Sequence, residues 1–334
     1  MNKTKKAIQK AGGVALLLLL LFGVSLAALR LGSAALSPIA FWSGLLGKEG
    51  FQTETLILYQ LRLPRILGGI LAGVGLSVSG VLLQGITGND LAGPNIIGIN
   101  AGAGFAAMLT LYFWAERLLL LPLGAFCGAF LATLLIIGIA GRVSRSRATV
   151  ILVGVAVTAL LNAGISLLSL LDPDVLATYN HFSIGGLSGV RLESLGIPAA
   201  VILTAFGSAV LLGKRIDVLC LGDSLAASLG VWVRTLRMVS LILASASAAA
   251  VVSFAGLLGF VGLIVPHIAR RLSGGGIRRQ LCYAAPLGAL LTLSADLLGR
   301  VLFAPSELPV GIILALLGAP FFFYLLLRRK SHAD

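Results

Sequence analysis

The sequence predicts an all-α integral membrane protein of about ten transmembrane helices, one of them, the eighth, short and broken. Three observations predict it. The 334 residues are 58% hydrophobic and only 11% charged, whereas soluble domains run about 45–50% and about 25%. Apolar runs of about 20 residues, the length of a bilayer crossing, recur along the whole chain. The 42 glycines are nearly twice the usual share of about 7%, which suits closely packed membrane helices. This composition excludes an ordinary soluble enzyme, a disordered chain and a secreted disulfide scaffold. Cys127, Cys220 and Cys282 have neither metal-ligand spacing nor a paired framework, and read as small apolar residues.

The candidate spans fall near 13–31, 61–83, 94–113, 118–140, 148–171, 195–213, 236–254, 258–269, 281–299 and 309–327. The first resembles a signal peptide, because Lys3, Lys5, Lys6 and Lys10 precede it. Its apolar run continues to Leu31 without a small-residue exit, so it reads as a retained span. The eighth is too short to cross alone and ends around Pro266, as a half-helix lining a cavity does. The chain is therefore one polytopic domain over 1–334: a basic cytoplasmic N-terminus at 1–12, a transmembrane region at 13–327 and a cytoplasmic tail at 328–334.

Charge sets the orientation. The formal net charge is +13, which on a soluble chain suggests nucleic acid. Here the basic residues lie between apolar runs, so the charge orients the chain in the bilayer and no nucleic-acid partner is expected. With the N-terminus inside, 18 Lys and Arg fall on inner segments and seven on outer ones, as cytoplasmic loops require. Both termini are then cytoplasmic. Among the outer minority, Arg62 and Arg65 lie in LRLPR at the mouth of the second span, and Arg300 ends the ninth. Each alone reads as an interfacial arginine whose head reaches for water; three on one face point to an anionic partner.

Within the spans, Thr158, Asn162, Ser166 and Ser169 are spaced by four, four and three, which puts them on one helical face. That face is either a polar pathway or hydrogen-bonding glue between helices. Gly311, Ala315 and Gly318 make a small face on the last span, of the kind that packs closely. Asp296 and Arg300 read as an i,i+4 pair near the surface. His267 has no histidine cluster around it, so no metal site is expected. No phosphate loop occurs: GLLGKEG at 44–50 has the wrong spacing. No catalytic residue or cofactor is expected, and any nucleotide driving transport must bind another chain. GINAGAG at 98–104 reads as close helix packing. The inner connection Lys214–Arg237 carries LGDSLAASLG at 221–230, with Asp223 as helix N-cap and a glycine stop. It is either an inert loop or a surface for a cytosolic partner.

Three segments together carry a family resemblance: LRLPRILGGILAGVGLSVSGVLLQGITGNDLAGPNIIGINAGAGF at 61–105, LGDSLAASLG at 221–230, and GFVGLIVPHIARRLSGG at 259–275 with its continuation through ADLLGR and ELPVGIILALLGAPFFFYLLLRR. The chain resembles the FecCD-type permeases, membrane subunits of binding-protein-dependent ABC importers for iron chelates, haem and cobalamin. The resemblance covers essentially everything beyond the first span and implies the type II ABC importer permease architecture. It implies four kinds of partner: a second permease, identical or homologous, two cytosolic ATPases, an extracytoplasmic substrate-binding protein and the lipid bilayer.

The resemblance also implies residue roles. Arg62, Arg65 and Arg300 correspond to outer arginines that meet glutamates on the two lobes of the binding protein. Leu221, Gly222, Asp223, Ser224, Leu225, Ala226, Ala227, Ser228, Leu229 and Gly230 match the segment that couples to the ATPase. The fifth and tenth spans resemble those flanking the central pathway, which gives Thr158, Asn162, Ser166 and Ser169 a pathway role. Arg147 and Ala148 stand at a cytoplasmic gate. The expected substrate is an iron-siderophore, with haem and cobalamin behind it, and the expected location is the bacterial cytoplasmic membrane. Two features depart from the family: Asn89-Asp90-Leu91-Ala92-Gly93-Pro94 replaces its Asn-Pro-Leu-Ala-Asp/Glu-Pro turn, and Arg147 stands where it carries small hydroxyl residues. A stand-alone secondary transporter and a non-transporting scaffold for an ATPase are the rival readings; ion-coupling residues within the spans, which the former needs, are scarce.

Overall fold

In the computed structural model, residues 2–33, 36–95, 98–143 and 147–330 are described, with side chains from Gly12 onward except at 143, 147, 148, 326 and 328–330. The described chain is helical between short connections. Fourteen α-helices follow one another: α1 Asn2–Arg30, α2 Pro38–Leu45, α3 Gln52–Leu56, α4 Leu63–Thr87, α5 Ile99–Phe113, α6 Leu121–Val143, α7 Arg147–Leu171, α8 Pro173–Ile184, α9 Gly196–Cys220, α10 Asp223–Ser228, α11 Val233–Ala255, α12 Val261–Ser273, α13 Ile277–Val301 and α14 Val310–Lys330. Among the described residues, seven stretches are long and apolar enough to cross a membrane, and Ile99–Phe113 and Val310–Leu325 are shorter apolar helices. Each of the ten runs read from the sequence contains one helix of this series.

Two boundaries differ from the sequence reading. The second span begins at Gln52, because a π-helical stretch at Ile57–Arg62 joins α3 to α4 in one helix ending at Thr87. Its pattern of polar residues, Gln52, Thr53, Glu54 and Gln60, concealed that extension. In the eighth span, Pro266 does not end the helix; α12 runs through it to Ser273. Proline removes one backbone donor and leaves the carbonyl four residues earlier without its helical bond. That carbonyl, on Gly262, lies against Gly80 of α4, while the Pro266 carbonyl accepts from Gln280 Nε2 at 2.9 Å. The helix is nonetheless short, 13 residues. Before it the chain leaves helical geometry at Gly256 and re-enters after Phe260, which takes a φ of 65°.

The bundle is organised around α4, whose most apolar window is 78% buried. Helices come this close only where side chains vanish. A Cβ on Gly73 would sit 2.2 Å from the Gly288 carbonyl oxygen of α13, and one on Gly80 would sit 2.0 Å from that of Gly262. In lipid, where apolar side chains gain little by leaving a solvent as apolar as themselves, such backbone approach supplies much of the packing. The predicted packing of GINAGAG takes this form, with Gly102 of α5 facing Gly128 of α6. On α14, Gly311 lies against the Ile184 carbonyl and Gly318 against the Phe260 ring, while Ala315 stays exposed.

Alternation of the spans leaves two charged ends. α4 starts and α13 finishes at one end, with Arg62, Arg65 and Arg300. The other end carries α10, the turn after α4 and the start of α13. α1 begins and α14 ends there too.

Candidate functional site

Arg62 and Arg65 are one turn apart at the start of α4, and Arg300 ends α13, the helix packed against it. The structure brings all three together around a cavity of 360 Å3 whose lining includes Gly32, Ser33 and Glu307. They are not exposed charges. Arg62 and Arg300 are 4% and 2% exposed, and each guanidinium is engaged by the chain itself. Arg65 Nε lies 3.0 and 3.1 Å from the two carboxylate oxygens of Asp296, and its Nη1 donates to Glu307 at 2.6 Å. Arg300 Nε stands 3.1 Å from the other side of Asp296. Arg62 Nη1 donates to the carbonyls of Leu29 and Arg30 at 2.6 and 2.7 Å, the last turn of α1.

Asp296 is wholly buried, so its pair with Arg300 is not the surface contact that i,i+4 spacing suggests. It is the shared counter-ion of two arginines. A buried carboxylate is tolerated only with charge and hydrogen bonds around it, and the two guanidinium groups supply both. Glu307, in the connection between α13 and α14, closes the cluster: Ser33 Oγ donates to it at 2.7 Å. Burial alone would raise its carboxyl, but the hydrogen bonds from Arg65 and Ser33 and the charges of Arg65 and Arg300 outweigh it, holding the group below its ordinary 4.5. Its contribution to stability is thus complete above that value and fades as pH falls through the lowered one.

Sequence reasoning found the arginines and missed Glu307 and Ser33. Neither lies near Arg65 in the chain; 242 residues separate Glu307 from Arg65. The only available signal was Glu307 opening ELPVG, just before the last apolar run.

At the opposite end, α10 is the predicted short helix, but Gly222, at φ 119°, is its cap. Asp223 is instead its first residue, and both carboxylate oxygens accept from Arg237 Nη2 of α11, at 2.7 and 2.8 Å. This brace fixes α10 against the bundle while Leu221, Leu225 and Leu229 stay exposed and Ala226 is buried. Gly230, at φ 78°, ends the segment. Nearby, Asp217 caps the start of α13 by accepting from the Ile277 N–H at 2.6 Å, and Arg270 of α12 pairs with Asp90 in the turn after α4.

The four polar residues of α7 do not share one environment. Thr158 Oγ1 is buried with no hydrogen-bond partner among the described residues, facing Gly98. Asn162 and Ser166 are exposed, and Ser166 and Ser169 bond back to the Asn162 and Ile165 carbonyls. The most apolar window of α7 is only 11% buried. Arg147 and Ala148 open α7, and their side chains lie outside the described residues. Among the described residues, no group of three or more His, Cys, Asp or Glu is placed to hold a metal. His267 packs its ring edge against Phe321, 5.9 Å between centroids.

A helical bundle with several membrane spans, a charged pocket at one end and a braced surface helix at the other is a multi-pass membrane protein. The FecCD transport family model matches residues 17–328, and the chain belongs to that family. It is 36% identical over 324 residues to the Fe(3+)-citrate import system permease protein YfmE of Bacillus subtilis, covering 97% of each chain. It is 40% identical over 327 residues to the achromobactin transport system permease protein CbrC of Dickeya dadantii, covering 96% of this chain and 92% of that one. A solved structure described as an inward-facing metal-chelate type ABC transporter superposes with a TM-score of 0.84 at 29% identity, covering 94% of this chain and 98% of that one. The protein is accordingly a multi-pass permease subunit of an ABC importer, and not itself an enzyme.

Proposed function

We propose that this permease imports an iron-siderophore or a related metal chelate, delivered by an extracytoplasmic binding protein that docks at Arg62, Arg65 and Arg300. The observation that carries the reading is the convergence of those three arginines, from two helices, on one cavity. Three guanidinium groups against the two carboxylates of Asp296 and Glu307 leave the pocket a net positive charge for a carboxylate on the partner. In this reading ten helices span the membrane as one domain, the arginine end faces outward, and both termini are cytoplasmic. The relatives are permeases for ferric citrate and achromobactin, which favours an iron chelate as cargo.

The cargo passes between this chain and a second permease, identical or homologous. The exposure of α7 and of Leu316 and Leu317 on α14 supports that face as the contact, with Asn162 and Ser166 toward the path and Arg147 and Ala148 at its inner gate. Segment 221–230 takes the push of two cytosolic ATPases. Its exposed leucines offer an apolar docking surface, and the Asp223–Arg237 brace passes the motion to α11. Alternating access follows: docking outside, ATP-driven closure inside, and release through the pathway.

The test is binding-protein affinity and ATP-driven uptake in proteoliposomes for Arg62→Glu/Arg65→Glu/Arg300→Glu. Lost docking, with strong salt dependence in the wild type, is expected; unchanged affinity in a folded triple variant overturns the docking site.

A further inference from the structure

The arginine pocket contains its own carboxylates, and they are held differently. Asp296 is fully buried on α13 and bridges Arg65 and Arg300. Its place is structural, since without it two guanidinium groups face each other in a buried site. Glu307 is different in kind. It stands in the connection after α13, keeps 29% of its side chain exposed, and among the described residues is hydrogen-bonded by Arg65 Nη1 and the hydroxyl of Ser33. Arg65 and Glu307 both line the cavity, so Glu307 occupies an Arg65 N–H that a carboxylate brought by another protein would otherwise take.

The rest of the pocket has an open donor. Arg300 Nη2 is buried and has no hydrogen-bond partner among the described residues. Gly32 lies between the neighbouring guanidinium groups: a Cβ there would be 3.3 Å from Arg62 Nη2 and 3.5 Å from Arg300 Nη1. A buried guanidinium with an unused N–H calls for an acceptor. The pocket is thus built for anions, and one of its arginines is already taken by an anion of its own.

We propose that Glu307 is a built-in competitor of the docking site: it holds Arg65 in the undocked permease and weakens the grip on a partner's carboxylate so that docking stays reversible. This rests on the docking reading above and adds its regulation. With Glu307 present the cluster carries one net positive charge; without that carboxylate it carries two. Glu307 also lies three residues before α14, so its hold on Arg65 ties the pocket to the start of a helix on the proposed pathway face. Such a brake would act mainly on dissociation, because affinity differences among related complexes reside mostly in the dissociation rate.

The experiment compares wild type, Glu307→Gln and Glu307→Asp in the intact permease–ATPase complex, reconstituted in nanodiscs, with the cognate binding protein immobilised. Glu307→Gln is expected to tighten docking about tenfold, mainly through slower dissociation, and to steepen its dependence on salt. Glu307→Asp keeps the charge and stays near wild type. Thermal unfolding of each variant confirms that the site is assembled. Affinity of a folded Glu307→Gln complex equal to or below wild type overturns the proposal, since a residue that merely supports the site can only weaken docking when removed. The triple arginine reversal separates the two readings. If it abolishes docking while Glu307→Gln changes nothing, only the competitor role fails; if it leaves docking intact, the site itself is wrong.

Discussion

α4 and α7 are helices of equal length, 25 residues each, and their most apolar windows have nearly equal mean hydropathy, 2.2 and 2.3. Yet those windows are 78% and 11% buried. Hydropathy therefore says that both cross a membrane and says nothing about which lies at the centre. Lipid and protein interior are alike to a leucine, so the sorting falls to residues that let backbones meet or that hydrocarbon does not tolerate. α4 has both: the glycines at 73 and 80, and Arg62 and Arg65 at one end. α7 has exposed leucines, among them Leu152, Leu160, Leu167 and Leu170, and a few hydroxyls that bond back to their own helix.

The comparison is broken most forcefully at the glycines. Gly288→Leu puts a side chain where even a Cβ would lie 1.9 Å from Ser77 Oγ and 2.3 Å from the Gly73 carbonyl. Neither helix yields without parting α4 from α13, the largest contact of the bundle. Overpacking a tight core costs about 1–3 kcal/mol where side chains give way, and more here because the obstacle is backbone. The variant is expected to yield little folded permease in fluorescence-detected size exclusion. Gly138→Leu on α6, where no described atom lies within 4 Å of the added Cβ, should behave as wild type. Equal behaviour of the two would show that backbone approach does not sort these helices.

A smaller effect is expected at the charged end of α4. Asp296→Ala leaves Arg65 and Arg300 without their shared carboxylate, and breaking a buried pair by removing one partner costs about 3–5 kcal/mol. Here part of it is recovered, since Glu307 and water reach Arg65, so the loss should fall near the lower figure. Thermal unfolding in detergent, followed by loss of the folded peak in size exclusion, measures it. A variant as stable as wild type would mean that the cluster does not anchor α4.

Most of the helix order was legible in the sequence, because apolar length is a local property. Ten runs were read, and each holds a helix. What escaped depended on distant residues. The sequence put Asp296 near the surface because spacing shows its neighbour on α13 and not Arg65 on another helix. Asp223 looked like a cap because its partner, Arg237, lies across a turn. Pro266 looked like an end because the Gly80 backbone that faces the freed carbonyl is 186 positions away in the chain. The stripe on α7 was read as one face, yet Thr158 turns to Gly98 and Asn162 to the outside. A period gives direction about one helix axis, and only neighbouring helices decide which direction is inside.

The same comparison makes its finest claim on α7. Leu160 and Leu167 are 70% and 58% exposed, so replacing both with alanine removes no packing within the chain. The thermal stability of the permease held as a monomer should change by less than about 0.5 kcal/mol, as for surface substitutions generally. If this face meets lipid alone, dimerisation and uptake are also unchanged. If it meets a second permease, the alanines strip apolar contact from that interface, and the dimer fraction in nanodiscs falls along with ATP-driven uptake while monomer stability holds. The split between the readouts is the informative result: the exposed face of a helix as apolar as α4 would then be shown to contribute little to the fold of the chain and much to the assembly. Loss of monomer stability would instead mean that the leucine face of α7 is packed within the chain, and its contrast with α4 would not stand.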